Sequence, residues 1–540
     1  MTDLADPIVV VGAGASAVHF AATALELGRR VILLDVGRAA ATPVMPGAHL
    51  NQLKRDLDDP VRYFLGEDYS SVILPSHGDE YYGLPPNKAY VFEPIAGREL
   101  RSVGFAPLSS FAAGGLAEAW TGGAYPFNAA ETQAFPFAWE TLQQAYGEVA
   151  SRIGVAGVAD DDLSPHFPSH AGLQPPNELD NHSNRILETY AARRSRLVSR
   201  HGIVLGRART ATLTRPTDGR DACTLCGRCL WGCPSGAFYT PSITLRACRR
   251  SAAFDYRPGI VVERFEFDSG NRVTHVVGRS LDDNSEFRLA VGALVLAAGT
   301  LSSGRILLES VARAGERVEL SGLMDNRQIH MPFVNLGRIG EKYDERAYQY
   351  HQLAVGAPGA DSLDYVHGLI TTLKTAMVHP IVQSLPLGIR ASTALFRNVH
   401  AALGLLNINF PDQRRETNRI ALETGADGAT RLLITYTAQA TEPERIRLAC
   451  KRFRDFLAAL DCIAPPGMTR VRPMGASVHY AGTLPMTAGG GDFTTDRAGH
   501  CRPFANLVIA DGSTFPALPA KNLTFTLMAN ATRIAREAFS

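Results

Sequence analysis

No run of about eighteen uninterrupted apolar residues occurs in this sequence of 540 residues, so no segment reads as a membrane-spanning helix. The most apolar stretch, Leu369 to Leu406, is broken by Lys374, His379, Pro380, Gln383, Pro386, Arg390, Arg397 and His400, and reads at most as a greasy surface segment. An excess of one charge is lacking too: 54 Lys and Arg face 53 Asp and Glu, for a net charge of +1. That balance gives no electrostatic basis for nucleic acid or an anionic membrane as a partner. The opening Met-Thr-Asp-Leu-Ala-Asp-Pro has no basic n-region and no small-residue cleavage site, so no signal peptide is expected and the cytoplasm is the expected location. Internal repeats and low-complexity tracts are missing, and the 49 Gly and 32 Pro are spread along the chain instead of marking a linker. What remains is an ordinary globular balance, 45% apolar and 20% charged, at a length that predicts two or more domains.

The N-terminal region carries the clearest pattern. Ile8 to Val11 is a short β-branched run, Gly12-Ala13-Gly14-Ala15-Ser16-Ala17 follows, then an Ala- and Leu-rich helical stretch, and Val31 to Leu34 leads to Asp35. This predicts strand, turn, helix and strand, the setting in which a Gly-x-Gly motif binds a dinucleotide. Gly12 allows the tight turn, Gly14 lets the backbone approach a pyrophosphate, and Ala17 keeps helix and strand close. Free N–H groups of Ala15 and Ser16 at the helix start favour phosphate. Asp35 suits ribose hydroxyls and would repel a 2′-phosphate. A purely structural glycine turn is the competing reading.

Eight cysteines occur, four of them as Cys223-x2-Cys226-x2-Cys229-x3-Cys233-Pro234. So tight a group is unlike a secreted disulfide framework. The spacing is that of bacterial ferredoxins and points to an iron–sulfur cluster, [4Fe-4S] with all four ligands or [3Fe-4S] with Cys233 left free. Zinc, or thiols packed without metal, are the alternatives. A cluster would lead electrons out of a reduced cofactor to an external acceptor. Cys248, Cys450, Cys462 and Cys501 are isolated and read as apolar packing.

Three later segments resemble the glucose–methanol–choline (GMC) oxidoreductases: Ala293 to Leu308, His479-Tyr-Ala-Gly-Thr-Leu-Pro-Met486, and Asn506 to Pro516 running on to Asn522–Arg533. With the N-terminal motif, the likeness spans the chain discontinuously. Gly114 to Phe127 departs from the best-known members and looks like a bacterial branch associated with carbohydrate and aminoglycoside metabolism. The segment Leu323 to Pro332 matches the family only loosely.

The resemblance implies FAD as cofactor and an α/β fold, a Rossmann-like FAD-binding domain joined to a substrate domain with an antiparallel β-sheet backed by helices. The first domain would comprise 1–45, 88–130, 250–325 and 466–540, and the second 131–249 and 326–465, with the Cys-rich segment 223–234. Contacts to the cofactor are implied for Gly12, Gly14, Ala15, Ser16, Asp35, Gly115, Leu116, Ala117, Trp120, Val262, Ala298, Gly299, Asp511, Gly512, Asn522 and Thr524. Asp511 also reads as a structural Asp-Gly turn.

Oxidation of a small-molecule alcohol by hydride transfer to flavin N5 is the implied reaction, with a sugar, amino sugar or similar polyol as substrate. Its base would be His479, whose imidazole titrates near 6.5 when unperturbed, and Asn522 would hold the substrate oxygen. A flavin and iron–sulfur electron-transfer or redox-sensing protein, or a lyase or decarboxylase of the same family, are the runner-up readings. Tyr480 and Thr483 read as packing near the ring, Asn522 equally as a helix cap, and His330 and His351 as the next candidates for the base.

Local patterns add detail. Leu406 to Phe410, Arg419 to Glu423 and Arg431 to Tyr436 read as antiparallel strands of one sheet. Thr441-Glu-Pro-Glu444 reads as a capping box opening a helix with Ile446, Cys450, Phe453, Phe456 and Leu457 on one face.

Overall fold

The computed structural model describes residues 7–40, 47, 49–72, 84–217, 219–359, 361–373, 379–383, 385–426 and 428–540. Residues 1–6, read above for a signal peptide, and Lys374 lie outside them.

Five short strands form a parallel sheet in the order Leu507–Ile509, Ala293–Leu296, Ile8–Val11, Val31–Leu34, Phe254–Arg257. Every residue of Ile8–Val11 and Ala293–Leu296 is buried, as unbroken apolar runs require when both sheet faces are covered. On one face Val10, Val31 and Val295 pack against Ala17 and Phe20 of the helix Ala15–Glu26 and Ile534 of the helix Thr524–Phe539. On the other, Val9, Val11 and Leu294 meet the helix Thr300–Arg313 and an antiparallel sheet of Ile260–Phe267, Val273–Ser280 and Glu286–Ala290. The turns that leave the carboxyl ends of these parallel strands converge on one cleft.

A second, antiparallel sheet runs in the order Cys462–Ile463, Gln328–Asn335, Leu403–Asn409, Val366–Thr372, His351–Ala357, Val204–Arg207. Its residues alternate between two unlike faces. Ile329, Met331, Ile370, Leu406 and Ile408 pack against the helices Asn181–His201 and Glu442–Ala458, through Ile186, Tyr190, Phe453 and Phe456. Gln328, His367, Asn407 and Asn409 occupy the other face. The mixed α/β architecture, with a sheet-based substrate region backed by helices, is the one the resemblance implied.

Two local expectations are corrected. The strands Arg419–Thr424 and Thr430–Thr435 do pair antiparallel, but they belong with Glu319–Ser321 and Leu100–Val103 in a separate four-stranded sheet, apart from Leu403–Asn409. Partner choice between sheets is a long-range matter that alternation alone does not carry. The helix Glu442–Ala458 forms, with Cys450, Phe453, Phe456 and Leu457 buried, but Thr441 makes no side-chain cap. Its backbone is already helical (φ −81°, ψ −10°), so its hydroxyl does not face the first-turn amides, and Glu444 pairs with Arg447 instead.

Of the apolar stretch Leu369 to Leu406, the middle reaches the surface, with Leu387 and Ile389 open to solvent, while its ends are buried in the strands Val366–Thr372 and Leu403–Asn409. No helix among the described residues is long and apolar enough to cross a membrane.

Candidate active site

The cleft at the carboxyl ends of the parallel strands is lined by Gly12, Gly14, Ala15 and Ser16 after the first strand, Asp35 after the second, Ala298 and Gly299 after the fourth in chain order, and Asp511 and Gly512 after the last. Gly115, Leu116, Ala117, Val262 and Thr524 complete it from neighbouring segments. Ligand sites in open α/β sheets lie at such strand ends.

Gly12 sits at φ +101°, and a Cβ there would lie 2.8 Å from the Ala297 carbonyl oxygen. A Cβ on Gly14 would meet nothing within 4 Å, so it would project into the open cradle where a pyrophosphate fits. Asp35 is buried, receives the Tyr256 hydroxyl at 3.4 Å, and is further hydrogen-bonded by backbone N–H groups of Val36, Gly37 and Ala13; burial nonetheless pushes its carboxyl up to about 7. These residues fit a dinucleotide: a cradle without side chains at the phosphates, and a carboxylate whose charge ribose hydroxyls would stabilise.

Asp511 is a tie-point. It accepts the Gly299 amide at 2.9 Å, the Ser303 hydroxyl at 2.5 Å and the Ser513 amide at 3.0 Å, joining the turns after two strands. Trp120 stands outside the cleft lining: its indole N–H donates to the Tyr239 carbonyl at 2.8 Å and its ring packs on Phe238 and Tyr239.

Val478 and Tyr480 line the cleft, and His479 between them is buried and meets Asn522. The imidazole is held from both sides, Nδ1 2.9 Å from Asn326 Oδ1 and Nε2 3.3 Å from Asn522 Nδ2. The Asn326 amide nitrogen donates to the carbonyls of Phe410 and Pro519, so its oxygen faces the ring as an acceptor. Nδ1 therefore carries the proton, and Nε2, the nitrogen beside Asn522, is the basic one. Burial, with Arg472 nearby, lowers the imidazole from its ordinary value to about 4, well below the 6.5 of an exposed histidine, and keeps it neutral.

The loop that carries His479 is strained. Val478, a β-branched residue, sits at φ +63°. Asp325 holds the loop on both sides of it, accepting the Gly475 amide at 2.7 Å, the His479 amide at 2.9 Å and the Ser477 hydroxyl. Burial raises the Asp325 carboxyl to about 6 despite those three donors.

Asn522 is not a cap: the helix Thr524–Phe539 starts after Leu523, and the Asn522 amide turns to His479 with its oxygen unpaired among the described residues. His351 has both ring nitrogens engaged, by Thr371 at 2.8 Å and Thr121 at 2.9 Å, which leaves no free lone pair for a substrate. His330 lies on the second sheet, its imidazole lowered to about 3 by burial and by Arg472 and Arg470. Tyr480 donates its hydroxyl to the Gly475 carbonyl at 2.7 Å, and Thr483 is buried outside the cleft lining.

The cysteine segment is arranged as packed thiols. Among the described residues, no three His, Cys, Asp or Glu side chains converge to hold a metal. Cys229 packs against Phe238 and Tyr348, Cys233 Sγ lies 3.4 Å from Ser235 Oγ, and burial pushes the Cys223 thiol up to about 11 and those of Cys226 and Cys229 upward. The four thiols lie near one another, Cys226 and Cys233 adding to the upward push on Cys223, and these three to that on Cys229, though among the described residues they form no group placed to hold a metal ion.

Asn326, Asp325 and the buried pair Lys521–Glu131 were not singled out by the sequence. Asn326 and Asp325 fall in the segment Leu323 to Pro332, whose loose family match hid them. Lys521, beside Asn522, donates to Glu131 at 2.5 Å and to the Pro126 carbonyl at 3.0 Å, and both charged groups are fully buried.

Residues 414–531 match the family model described as GMC oxidoreductase. No curated protein sequence matches the chain. Among solved structures, the crystal structure of pyridoxine 4-oxidase from Mesorbium loti shares the fold, with a TM-score of 0.60 and 17% identity over 98% of this chain and 99% of that chain. Residues 414–531 are thus similar to the C-terminal part of the GMC oxidoreductases, and the chain as a whole shares its fold with a solved oxidase.

Proposed function

We propose that this enzyme binds FAD in the cleft between Gly14, Asp35 and Gly512 and oxidises a hydroxyl-bearing small molecule, a sugar or related polyol, to a carbonyl. The observation that carries this reading is the His479 imidazole, neutral and oriented by Asn326 so that its basic Nε2 and the Asn522 amide face one another beside the cleft-lining residues Val478, Tyr480 and Leu523. Bound FAD would supply the acceptor for the hydrogen that leaves carbon as hydride. A substrate hydroxyl placed between His479 and Asn522 donates its proton to Nε2 and accepts a hydrogen bond from Asn522 Nδ2, which together fix the carbinol carbon in place. Asp325 keeps the loop of Val478 and His479 in its strained form, so the base is positioned before substrate arrives.

No step of this reading is routed through the Cys-rich segment 223–234. Eight cysteines without a disulfide support a reducing compartment, and we place the enzyme in the cytoplasm. The test is an anaerobic visible spectrum of the purified protein before and after neutral sugars and polyols are added. A yellow protein whose flavin bands bleach with an alcohol is expected. A colourless protein that still turns over, or a flavin that no alcohol reduces, overturns it.

A further inference from the structure

The second sheet turns a buried polar face toward His479. His367 stands opposite Asn409 across two strands, and Asn409 opposite Gln328, so all three project to one side, with Asn407 two residues along. The backs of the same strands are filled by Ile408, Leu406 and Ile329. Tyr125 packs edge-on against His367, ring centroids 4.6 Å apart. A Cβ on Gly123 would lie 2.8 Å from the Tyr125 ring and 3.3 Å from Asn522 Oδ1, which places Tyr125 next to the reacting centre. Asn326, the partner of His479, reaches the carbonyl of Phe410, the residue after Asn409.

Several polar atoms on this wall are fully buried and lack a partner among the described residues, His367 Nε2, Asn409 Nδ2, Asn407 Oδ1 and Asn522 Oδ1, and the Tyr125 hydroxyl meets only the backbone N–H of Arg209, which leaves its own proton to donate. A folded interior rarely leaves buried polar atoms unmatched, and a group of them gathered beside His479 is best matched by a ligand. All of them are uncharged donors or acceptors. The neighbouring charges are cationic or paired inside the protein: Lys521 on Glu131 and the carbonyls of Pro126 and His166, Arg209 on the carbonyls of Pro168 and Phe167, and Arg472 on the Gln328 side-chain oxygen. Burial and the Lys521 charge keep His367 neutral.

Resting on the alcohol-oxidase reading above, we propose that Tyr125, His367 and Asn409 form the recognition wall for the non-reacting hydroxyl groups of the substrate, and that this wall selects an uncharged polyol over a cationic amino sugar. A polyol satisfies the wall with its own donors and acceptors. An ammonium brings a charge to a place with no free carboxylate among these groups and with the Lys521 cation close by, whereas a simple alcohol leaves the wall unmatched.

The experiment is anaerobic stopped-flow reduction of the holoenzyme flavin by myo-inositol, glucose, glucosamine at pH 6 and cyclohexanol. In the wild type, the neutral polyols should reduce the flavin about tenfold or more faster, per unit concentration, than cyclohexanol or glucosamine. Tyr125→Phe, which removes one oxygen and leaves the ring packing, and His367→Leu should each shrink the polyol-to-cyclohexanol ratio by about tenfold. Cyclohexanol as effective as the polyols, ratios unchanged in both variants, or glucosamine equal to glucose would overturn the wall while leaving alcohol oxidation standing. If none of these alcohols reduces the flavin, the oxidase reading falls and the wall with it.

Discussion

A histidine that takes a proton from an alcohol must be neutral and must present the right nitrogen, and at His479 these requirements are met by different neighbours. Neutrality comes from burial, which lowers the imidazole to about 4. The nitrogen is chosen by Asn326, whose own donors are committed to two carbonyls. The sequence pointed to His479 through its flanking motif, but neither its depressed pKa nor Asn326 is visible without the fold, because both depend on residues far apart in the chain.

The consequence is a pH dependence unlike that of an exposed histidine. The base works when unprotonated, so anaerobic flavin reduction should be level from about pH 5 to pH 8 and fall as the pH drops through about 4. A limb centred near 6.5 would show that burial does not govern this group. His479→Ala should retain FAD and lose about a hundredfold to ten-thousandfold in the same rate constant. A wild-type rate in that variant would move the base elsewhere.

Elements were legible where one local signal sufficed. The strands Ile8–Val11 and Val31–Leu34 fall where the apolar runs put them, and the turn between the first strand and its helix lines the cleft. They failed where a choice between distant partners was needed, as when the strands Arg419–Thr424 and Thr430–Thr435 joined a different sheet from Leu403–Asn409. The capping box at Thr441 failed for a subtler reason: the motif was present, but the backbone of Thr441 was already helical.

At the first turn the element itself makes a prediction. Gly14→Glu places a carboxylate in the open cradle at the helix start, where a Cβ meets no neighbour. The chain should therefore fold, since nothing is displaced, yet fail to retain FAD, because a negative side chain would occupy the phosphate position. Flavin content after gel filtration, read beside the far-ultraviolet circular dichroism, separates these outcomes. A folded Gly14→Glu protein with a full complement of flavin would remove the cradle from the cofactor site.

Across the whole molecule, the buried pair Lys521–Glu131 joins the last segment before the C-terminal helix to the segment after Phe127, and through the His166 carbonyl to a third. Burial disfavours both charges, lowering the Lys521 amine and raising the Glu131 carboxyl, and each partner's charge opposes that shift in the other. Nothing in the composition marked these two as partners, because a lysine and a glutamate 390 residues apart look like ordinary surface charges until the chain is folded.

Removing one partner leaves the other as an uncompensated interior charge, which typically costs about 3–5 kcal/mol, whereas removing both can be nearly neutral. Lys521→Met should accordingly lower the apparent Tm, and it should also slow flavin reduction, since Asn522 is the next residue. Lys521→Met combined with Glu131→Gln should recover most of the lost Tm. The two readouts separate the roles of the pair: Tm reports whether it binds the three segments together, and the reduction rate of the double variant reports whether the charge itself helps to seat Asn522 against His479. A single Lys521→Met variant with wild-type Tm would show that the segments are held by their apolar contacts alone.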